Sequence, residues 1–186
     1  MAVEEPPFTA VQRDGPFEVC DYPALTVAEV SVRGSQWSAA NQGFRMLANY
    51  IFGGNTTRQS IPMTAPVSQV RTEEKIPMSA PVTQTLARED WIVRFVMPFG
   101  ATPDTLPEPN DARVRLQQLP AQRVASIRFA GWALSSEVKG KTRRLRAWIG
   151  AQGLHASGPA TLAQYDPPWR LPFWRRNEVH IPINSE

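Results

Sequence analysis

The sequence has few of the residues that build disulfides, metal centres or membrane spans. It contains one cysteine, Cys20, and two histidines, His155 and His180. A single cysteine cannot form an internal disulfide, and these three residues do not make a tetrahedral zinc site. No apolar run approaches the ~18 residues that a membrane-spanning helix needs. We therefore expect a protein of a reducing compartment, the cytoplasm, with no transmembrane segment.

Other absences narrow the functional class. The chain has no Gly-rich phosphate loop, no serine nucleophile elbow and no Cys–His pair in a catalytic context. Its net charge is only +3, and no RNP-like or helix-turn-helix signature organises its aromatic and basic residues, so we expect no nucleic-acid partner. The sequence predicts no catalytic residue. It favours a binding protein over an enzyme and leaves enzymatic activity open.

The chain of 186 residues has the length of one domain, which we expect to span residues 1–186. Within it, the segment 23–34 matches the segment 120–131 at an offset of 97 residues. The same register aligns Gly43 with Gly140. This internal match predicts a duplication with repeats at about 17–98 and 112–183.

Each repeat has the pattern of a β-α-β-β unit. Alternating apolar residues predict strands at 24–33 and 121–130, and a helix follows each. Further strands are predicted at 61–69, 76–85, 91–98, 159–166 and 177–183. A loop rich in proline and threonine, from Pro98 to Asp111, joins the halves. The fold class is therefore α+β, with two pseudo-twofold-related units, antiparallel sheets, helices on one face and a cleft between the units.

The two predicted helices differ in their polar faces. In the first, the apolar stripe is formed by Trp37, Ala40, Phe44, Leu47, Ala48 and Ile51. Ser35 or Ser38 can cap its start, and Gly53-Gly54 can end it. The second helix has Ser135 or Ser136 as its cap, and its apolar stripe is Val138, Leu145, Trp148 and Ile149. Its other side carries Lys139, Arg143 and Arg146, a basic face that we expect to be solvated.

Two polar patterns are candidate sites. The segment Ile61–Val67 is repeated almost unchanged at Ile76–Val82, and its alternating prolines predict edge strands or bulged strands beside an opening. Such strands either protect an edge from aggregation or form a pocket rim with Met63 and Met78. In the last strand, Glu178 and His180 alternate with apolar residues and should face the cleft. They could serve acid–base chemistry, cation recognition or metal ligation, or meet only water.

Several motifs resemble the SOUL/heme-binding protein family. They are Tyr22-Pro23, Ile51-Phe52-Gly53-Gly54-Asn55, the duplicated Ile-Pro-Met-Thr/Ser-Ala-Pro-Val, Tyr165-Asp166-Pro167-Pro168-Trp169 and Arg175-Arg176-Asn177-Glu178-Val179. The likeness runs from about Phe17 to Ile183. It implies a twisted, barrel-like sheet of two similar halves, flanked by two helices. It also implies binding of heme or another tetrapyrrole, as a carrier or buffer, at an apolar surface beside the first helix.

Carried over to this sequence, the resemblance points to a set of tetrapyrrole-binding residues on and after the first helix. They are Phe44, Arg45, Met46, Tyr50 and Met63. Some family members have a histidine, proposed as an iron ligand, at the position of Asp21. A carboxylate is a poor heme-iron ligand, so we expect weak axial ligation, for which His180, Met63 and Tyr50 are the candidates.

The end of the chain is also similar to the strand that closes GyrI-like small-molecule-binding domains. The similar segment is Glu178–Ile183, in which Glu178 matches the acid of those domains and His180 replaces an aromatic hydroxyl. This likeness implies an alternative function. A cleft with Glu178 as the key acid would bind, or hydrolyse, a hydrophobic cation or electrophile.

Overall fold

A computed structural model describes residues 5–72, 90–166 and 170–184. Two helices, α1 (Gln36–Ile51) and α2 (Ser135–Ala151), lie on one face of an antiparallel sheet that is curled into a half-barrel. The strands in the described residues are β1 (Thr9–Asp14), β2 (Phe17–Tyr22), β3 (Leu25–Arg33), β4 (Val67–Arg71), β5 (Asp90–Val96), β6 (Arg115–Leu119), β7 (Gln122–Ala130), β8 (His155–Ala156), β9 (Thr161–Gln164) and β10 (Arg176–Asn184). One short 3₁₀ helix spans Pro172–Trp174.

The strand order is symmetric about the β4–β9 pair. It runs β1-β2-β7-β10-β9-β4-β5-β3-β6, with β8 pairing β10 outside this path. Each half contributes its first strand to the other half, since β2 pairs β7 and β6 pairs β3. This arrangement confirms the predicted α+β class of two related units. The shared ancestry of the two repeats stays a prediction.

Each helix covers one core cluster. Under α1, Leu47 and Ile51 pack with Val30, Val93 and Phe95 of β3 and β5. Under α2, a second cluster joins that helix to β7 and β10; its largest members are Leu145, Trp148, Ile127, Val179 and Ile181. The sheet thus buries alternate residues of its strands beneath the helices.

The opposite face of the sheet, here called the inner face, carries neither α1 nor α2. Val27, Val70, Val96 and Val124 lie on it and are nevertheless buried. Burial without a covering helix follows from the curl of the sheet, which brings the side chains of the concave side together. The cleft expected between the two units would open on this inner face, and it stays a prediction.

The predicted strands at 24–33, 91–98, 121–130, 159–166 and 177–183 are confirmed, each within a few residues. The loop from Pro98 to Asp111 is also confirmed, since it contains no helix or strand. The prediction of 76–85 lies outside the described residues. Strands β1, β2 and β6 have no counterpart in the prediction. Strands β1 and β6 are short and bury none of their residues, and β2, which buries Val19 and Cys20, is only six residues long.

The predicted strand 61–69 is wrong over its first part, and of the two predicted alternatives, an edge strand or a bulged strand, the edge position is wrong. Strand β4 begins only at Val67, and it pairs with β5 on one side and β9 on the other. Pro62 and Pro66 have no N–H to donate to a ladder, which does not favour a regular strand in this segment. Ile61 and Ala65 are instead buried as an irregular segment.

Two details of the helices also differ from prediction. Trp37 does not belong to the buried stripe of α1, because it is 72% exposed; the buried residues are Ala39, Gly43, Leu47, Tyr50 and Ile51. Ser35 caps α1 as predicted, accepting a hydrogen bond from the N–H of Ser38. The N-cap of α2 is Leu134, without a side-chain cap, and not Ser135 or Ser136 as predicted; the Ser135 hydroxyl donates to Gln36 Oε1 at 2.8 Å.

Candidate functional site

The exposed side of α1 borders an open hollow of about 740 Å³. The helix buries the face that meets β3 and β5, so the residues on its remaining face point away from the core. The lining residues are Trp37, Ser38, Asn41, Gln42, Arg45, Met46 and Arg113. All but Arg113 come from successive turns of α1, and Arg113 comes from the loop before β6. We call this region the α1 groove.

The α1 groove combines apolar surface with two guanidinium groups. Trp37 is exposed at the first turn of the helix, and Met46 is half-buried against the first core cluster. Arg45 is exposed on the same side. Arg113 is held in place by Asp111, whose two carboxylate oxygens accept its Nε–H at 2.9 Å and its Nη2–H at 2.8 Å. The groove can therefore contact a flat apolar molecule that carries anionic groups at its edge.

The residues predicted for the first helix fall into two groups. Arg45 and Met46 line the groove. Phe44, Tyr50 and Met63 belong to the first core cluster, where the Phe44 ring meets Phe95 edge-on at 5.3 Å. Tyr50 is only 1% exposed, and its hydroxyl donates to the Pro107 carbonyl at 2.9 Å. Burial raises the pKa of Tyr50 to about 12, so this phenol stays protonated at neutral pH.

Glu178 and His180 lie on the inner face, on the other side of the sheet from α1. Their apolar neighbours on β10, Val179 and Ile181, belong to the core cluster under α2. Glu178 is 7% exposed, and three side chains meet its carboxylate. Arg176 Nε–H donates to Oε1 at 2.9 Å, the Tyr165 hydroxyl donates to Oε2 at 3.1 Å, and His180 Nε2 lies 2.8 Å from Oε2. The structure thus separates the two sets of predicted residues.

The Glu178 carboxylate is ionised in spite of its burial. Burial by itself raises the pKa of Glu178, but the hydrogen bonds and charges of His180 and Arg176 outweigh it and lower the pKa to about 2. Burial raises the pKa of Tyr165 and Tyr22 nearby, and the negative charge of Glu178 adds to this effect. A proton in this cluster is therefore held on the phenols and not on the carboxylate.

The N-terminal segment reaches the same cluster. Glu5 accepts two hydrogen bonds from the Arg176 guanidinium, each of 3.0 Å. The Phe8 ring lies 5.5 Å from the Tyr22 ring, and Tyr22 lies 6.1 Å from the His180 ring. The Arg176 guanidinium stacks on Tyr165 at 3.6 Å. The charge of Arg176 is therefore shared between the carboxylates of Glu5 and Glu178.

Cys20 and Asp21, at the end of β2, are not placed to bind a metal. Cys20 is buried, and burial with the charges of Glu18 and Glu178 raises its thiol pKa to about 12. Asp21 accepts two hydrogen bonds from Arg123, of 2.6 and 2.7 Å. In the described part of the chain, no three histidine, cysteine or acidic side chains come together in a way that could hold a metal ion.

The residues of the α1 groove fit a heme group in part. Trp37 and Met46 offer surface to the porphyrin plate, and Arg45 and Arg113 suit the two propionates. The groove residues named above include no histidine, cysteine or tyrosine for the iron, and Met46 is their one sulfur donor. Tyr50 is buried in the core and His180 lies on the inner face, which separates both from the groove.

Sequence reasoning missed Trp37 and Arg113 as groove residues. Trp37, Asn41 and Arg45 recur every four residues, which places them on one side of a helix, but the apolar ring of Trp37 also fits a buried stripe. Arg113 reaches the groove from a loop about 70 residues further along the chain. No local pattern predicts that contact.

Comparison with known families shows which family this chain belongs to. The sequence model described as SOUL heme-binding protein matches residues 3–182. The chain belongs to this SOUL family. No curated protein sequence matches this SOUL protein. Among its described residues, neither helix is long and apolar enough to cross a membrane.

Solved structures similar to this SOUL protein share its fold at low sequence identity. The C-terminal domain of EcmrR has a TM-score of 0.64 and 12% identity, covering 96% of this chain and 99% of that one. A hydrolase from Listeria innocua has a TM-score of 0.60 and 11% identity, covering 93% and 94%. SAV2435 bound to tetraphenylphosphonium has a TM-score of 0.51 and 10% identity, covering 91% and 94%. At such identities the likeness concerns the fold alone.

Proposed function

We propose that this SOUL protein binds heme or a related tetrapyrrole in the α1 groove, without catalysing a reaction, as a carrier or buffer. The observation that carries the proposal is the pairing of exposed Trp37 and half-buried Met46 with two guanidinium groups around one hollow. Membership of a heme-binding family supports the ligand class. The groove is open to solvent, which suits a ligand that must be taken up and released.

The chemistry of a tetrapyrrole matches these residues. The macrocycle is a large apolar plate, which gains free energy by covering the Trp37 ring and the Met46 thioether. Its propionates are anions that a guanidinium can bind through two parallel hydrogen bonds. Bound heme would supply an iron centre, while the groove residues hold the plate and its anionic edge. Because their one sulfur donor is a thioether, we expect iron to contribute little to affinity.

Titration with hemin and with iron-free protoporphyrin tests the proposal. We expect a saturable Soret shift with one equivalent of hemin, and affinities for the two ligands that agree within about threefold. Arg45→Glu should weaken binding of both by about tenfold or more, because a charge-assisted hydrogen bond becomes a repulsion. The control is Arg33→Glu, which makes the same charge change on the face of β3 opposite to α1, at an exposed arginine that pairs with Asp90 at 3.2 Å.

Two results would overturn this function. One is a hemin spectrum identical to that of hemin with an inert protein of the same size. The other is an equal loss of affinity for Arg45→Glu and Arg33→Glu, which would show that net charge and not the groove attracts the anionic ligand. A much weaker affinity for protoporphyrin than for hemin would reject the expectation of weak axial ligation.

A second candidate is binding of a hydrophobic cation on the inner face, with Glu178 as the key acid. Its support is an ionised carboxylate that is nearly buried beside aromatic rings. A structure of the same fold was solved with tetraphenylphosphonium. A cation there would compete with Arg176, which already neutralises Glu178, and this competition ranks the candidate second.

Tetraphenylphosphonium separates the two candidates. If the inner face binds the cation, Glu178→Gln should abolish binding of tetraphenylphosphonium while Arg45→Glu leaves it unchanged. If the α1 groove is the tetrapyrrole site, Arg45→Glu should weaken hemin binding and Glu178→Gln should leave it unchanged. Equal affinity of the wild type and Glu178→Gln for the cation would reject the second candidate.

A further inference from the structure

Five large apolar side chains are exposed together beside the start of α2. Between 50% and 62% of each is exposed: Trp132, Leu134, Leu171, Phe173 and Trp174. They come from two segments, the turn between β7 and α2 and the 3₁₀ helix before β10. We call this region the aromatic patch. Soluble proteins seldom expose so many large apolar residues in one place without a partner for them.

The two segments of the aromatic patch are joined. The N–H of Gly131 donates to the Pro172 carbonyl at 3.0 Å. The Arg175 guanidinium lies 4.5 Å from the centre of the Trp132 ring, and Phe173 meets Trp174 edge-on at 4.9 Å. The rings are thus fixed relative to one another while their outer surfaces stay in solvent. This fixed exposure argues for a surface that binds something.

A basic helix surface continues from the aromatic patch. Helix α2 carries five basic residues and one acid, Glu137, which pairs with Lys141 at 3.2 Å. The other four, Lys139, Arg143, Arg144 and Arg146, are exposed, and no acidic partner for them occurs among the described residues. Since α2 begins at Ser135, directly after Leu134, these charges start within about two turns of the patch.

We propose that the aromatic patch and the basic surface of α2 dock this protein on an anionic lipid bilayer. Tryptophan, phenylalanine and leucine on projecting turns are the side chains that partition into the bilayer interface. Clustered arginine and lysine complement anionic headgroups. Neither feature is used by the α1 groove, so the proposal goes beyond tetrapyrrole binding and does not depend on it. Docking is peripheral, as neither described helix can span a membrane.

Co-sedimentation with vesicles tests the docking. We expect the full chain to bind vesicles with about 30 mol% phosphatidylglycerol and to bind pure phosphatidylcholine at least about tenfold more weakly, with the difference lost at high salt. Phe173→Ser with Trp174→Ser should reduce binding by about tenfold or more. The control Phe99→Ser changes an aromatic residue that is equally exposed in the loop before β6 and should bind as the wild type does.

The charge contribution needs its own pair of variants. Arg143→Glu with Arg146→Glu should reduce binding to the anionic vesicles by about tenfold or more, whereas Arg33→Glu with Arg115→Glu, of equal net charge, should reduce it far less. Trp174→Phe serves as a variant that keeps the apolar surface. It should still bind, with less quenching of tryptophan fluorescence by brominated lipid.

Three outcomes would overturn the proposal. The wild type does not bind the anionic vesicles, or the two charge-reversed pairs lose binding equally, or the serine variants bind as the wild type does. A dimer in solution that the serine variants dissociate, without vesicle binding, would assign the patch to a second copy of the chain instead. Hemin titration of the same variants separates membrane docking from tetrapyrrole binding. The proposed function predicts unchanged hemin affinity for all of these variants.

Discussion

Arg176 and Glu178 stand two residues apart on β10 and share a hydrogen bond of 2.9 Å on the inner face of the sheet. The remaining N–H groups of Arg176 hold Glu5, and the second oxygen of Glu178 meets Tyr165 and His180. A buried charge is tolerated only when it is paired and hydrogen-bonded in this way. The pair therefore links the N-terminal segment to the last strand.

Glu178→Gln should destabilise the protein at neutral pH. The pKa of Glu178 falls from 4.5 to about 2 on folding, which corresponds to at most about 3 kcal/mol of stability above pH 4.5. Because the folded pKa is the lower one, this contribution is lost as the pH falls from 4.5 towards 2. Urea denaturation across that range should show the difference between wild type and Glu178→Gln narrowing steadily.

Asp104→Asn is the control for that series, since Asp104 is exposed in the loop before β6. We expect it to change stability by less than about 0.5 kcal/mol at every pH. A Glu178→Gln variant as stable as the wild type at pH 7 would contradict the inferred pairing. So would a stability difference that stays constant down to pH 2.

Gly43→Ala and Gly140→Ala should have opposite effects, although the two glycines correspond in the internal repeat. A Cβ on Gly43 would lie 2.6 Å from Cγ2 of Val93 on β5, whereas a Cβ on Gly140 would meet no atom within 4 Å. Crowding against the sheet should cost about 1–3 kcal/mol at Gly43. In the open position, alanine should stabilise α2 by up to about 1 kcal/mol. Thermal denaturation of both variants measures the contrast.

One result would contradict the expected contrast between the two glycine variants. If Gly43→Ala were as stable as the wild type, α1 would not lie as close to β5 as described. Gly43→Ala should also weaken hemin binding, because a displaced α1 moves Arg45 and Met46 of the groove. Gly140→Ala, on the other helix, should leave hemin affinity unchanged.

Periodicity predicted the parts of the fold that each segment determines by itself. Strands β3 and β7 bury alternate residues beneath a helix, and their 97-residue offset was visible in the sequence. The exchange of β2 and β6 between the halves could not be predicted, because a strand's partner depends on backbone pairing and not on side-chain pattern. The prolines before β4 predicted a bordering strand, whereas the structure has an irregular, buried segment there.

The candidate site was predicted less well than the fold. Alternation on β10 placed Glu178 and His180 on the face opposite to Val179, as the structure has them. It gave no sign that Arg176 neutralises the carboxylate, although Arg176 also lies on that face. On α1, the predicted apolar stripe included Trp37, which is exposed, and left out Tyr50, which is buried.

Tyr50→Phe distinguishes a structural tyrosine from a ligand-binding one. The phenol donates to the Pro107 carbonyl and is buried in the first core cluster. Its removal should therefore cost about 1 kcal/mol of stability through the unpaired carbonyl, with no change in hemin affinity or in the hemin spectrum. Met46→Ala is the matched comparison from the groove and should weaken hemin binding. A changed Soret band in Tyr50→Phe would assign Tyr50 to the iron after all.

Cys20 should be inert towards thiol reagents in the folded protein. Burial, with the negative charges of Glu18 and Glu178, raises the pKa of this thiol from 9.0 to about 12, so almost no thiolate exists at pH 8. We expect labelling at pH 8 to be at least about 100-fold slower than in urea and to follow local or global unfolding. Because the folded pKa is the higher one, the linked stability is complete below pH 9 and is lost as the pH rises towards 12.

Cys20 is the only cysteine, so the labelling signal belongs to it alone. Labelling at the unfolded rate while the circular dichroism stays native would show that the thiol is exposed, and would contradict the described packing of β2 against β7.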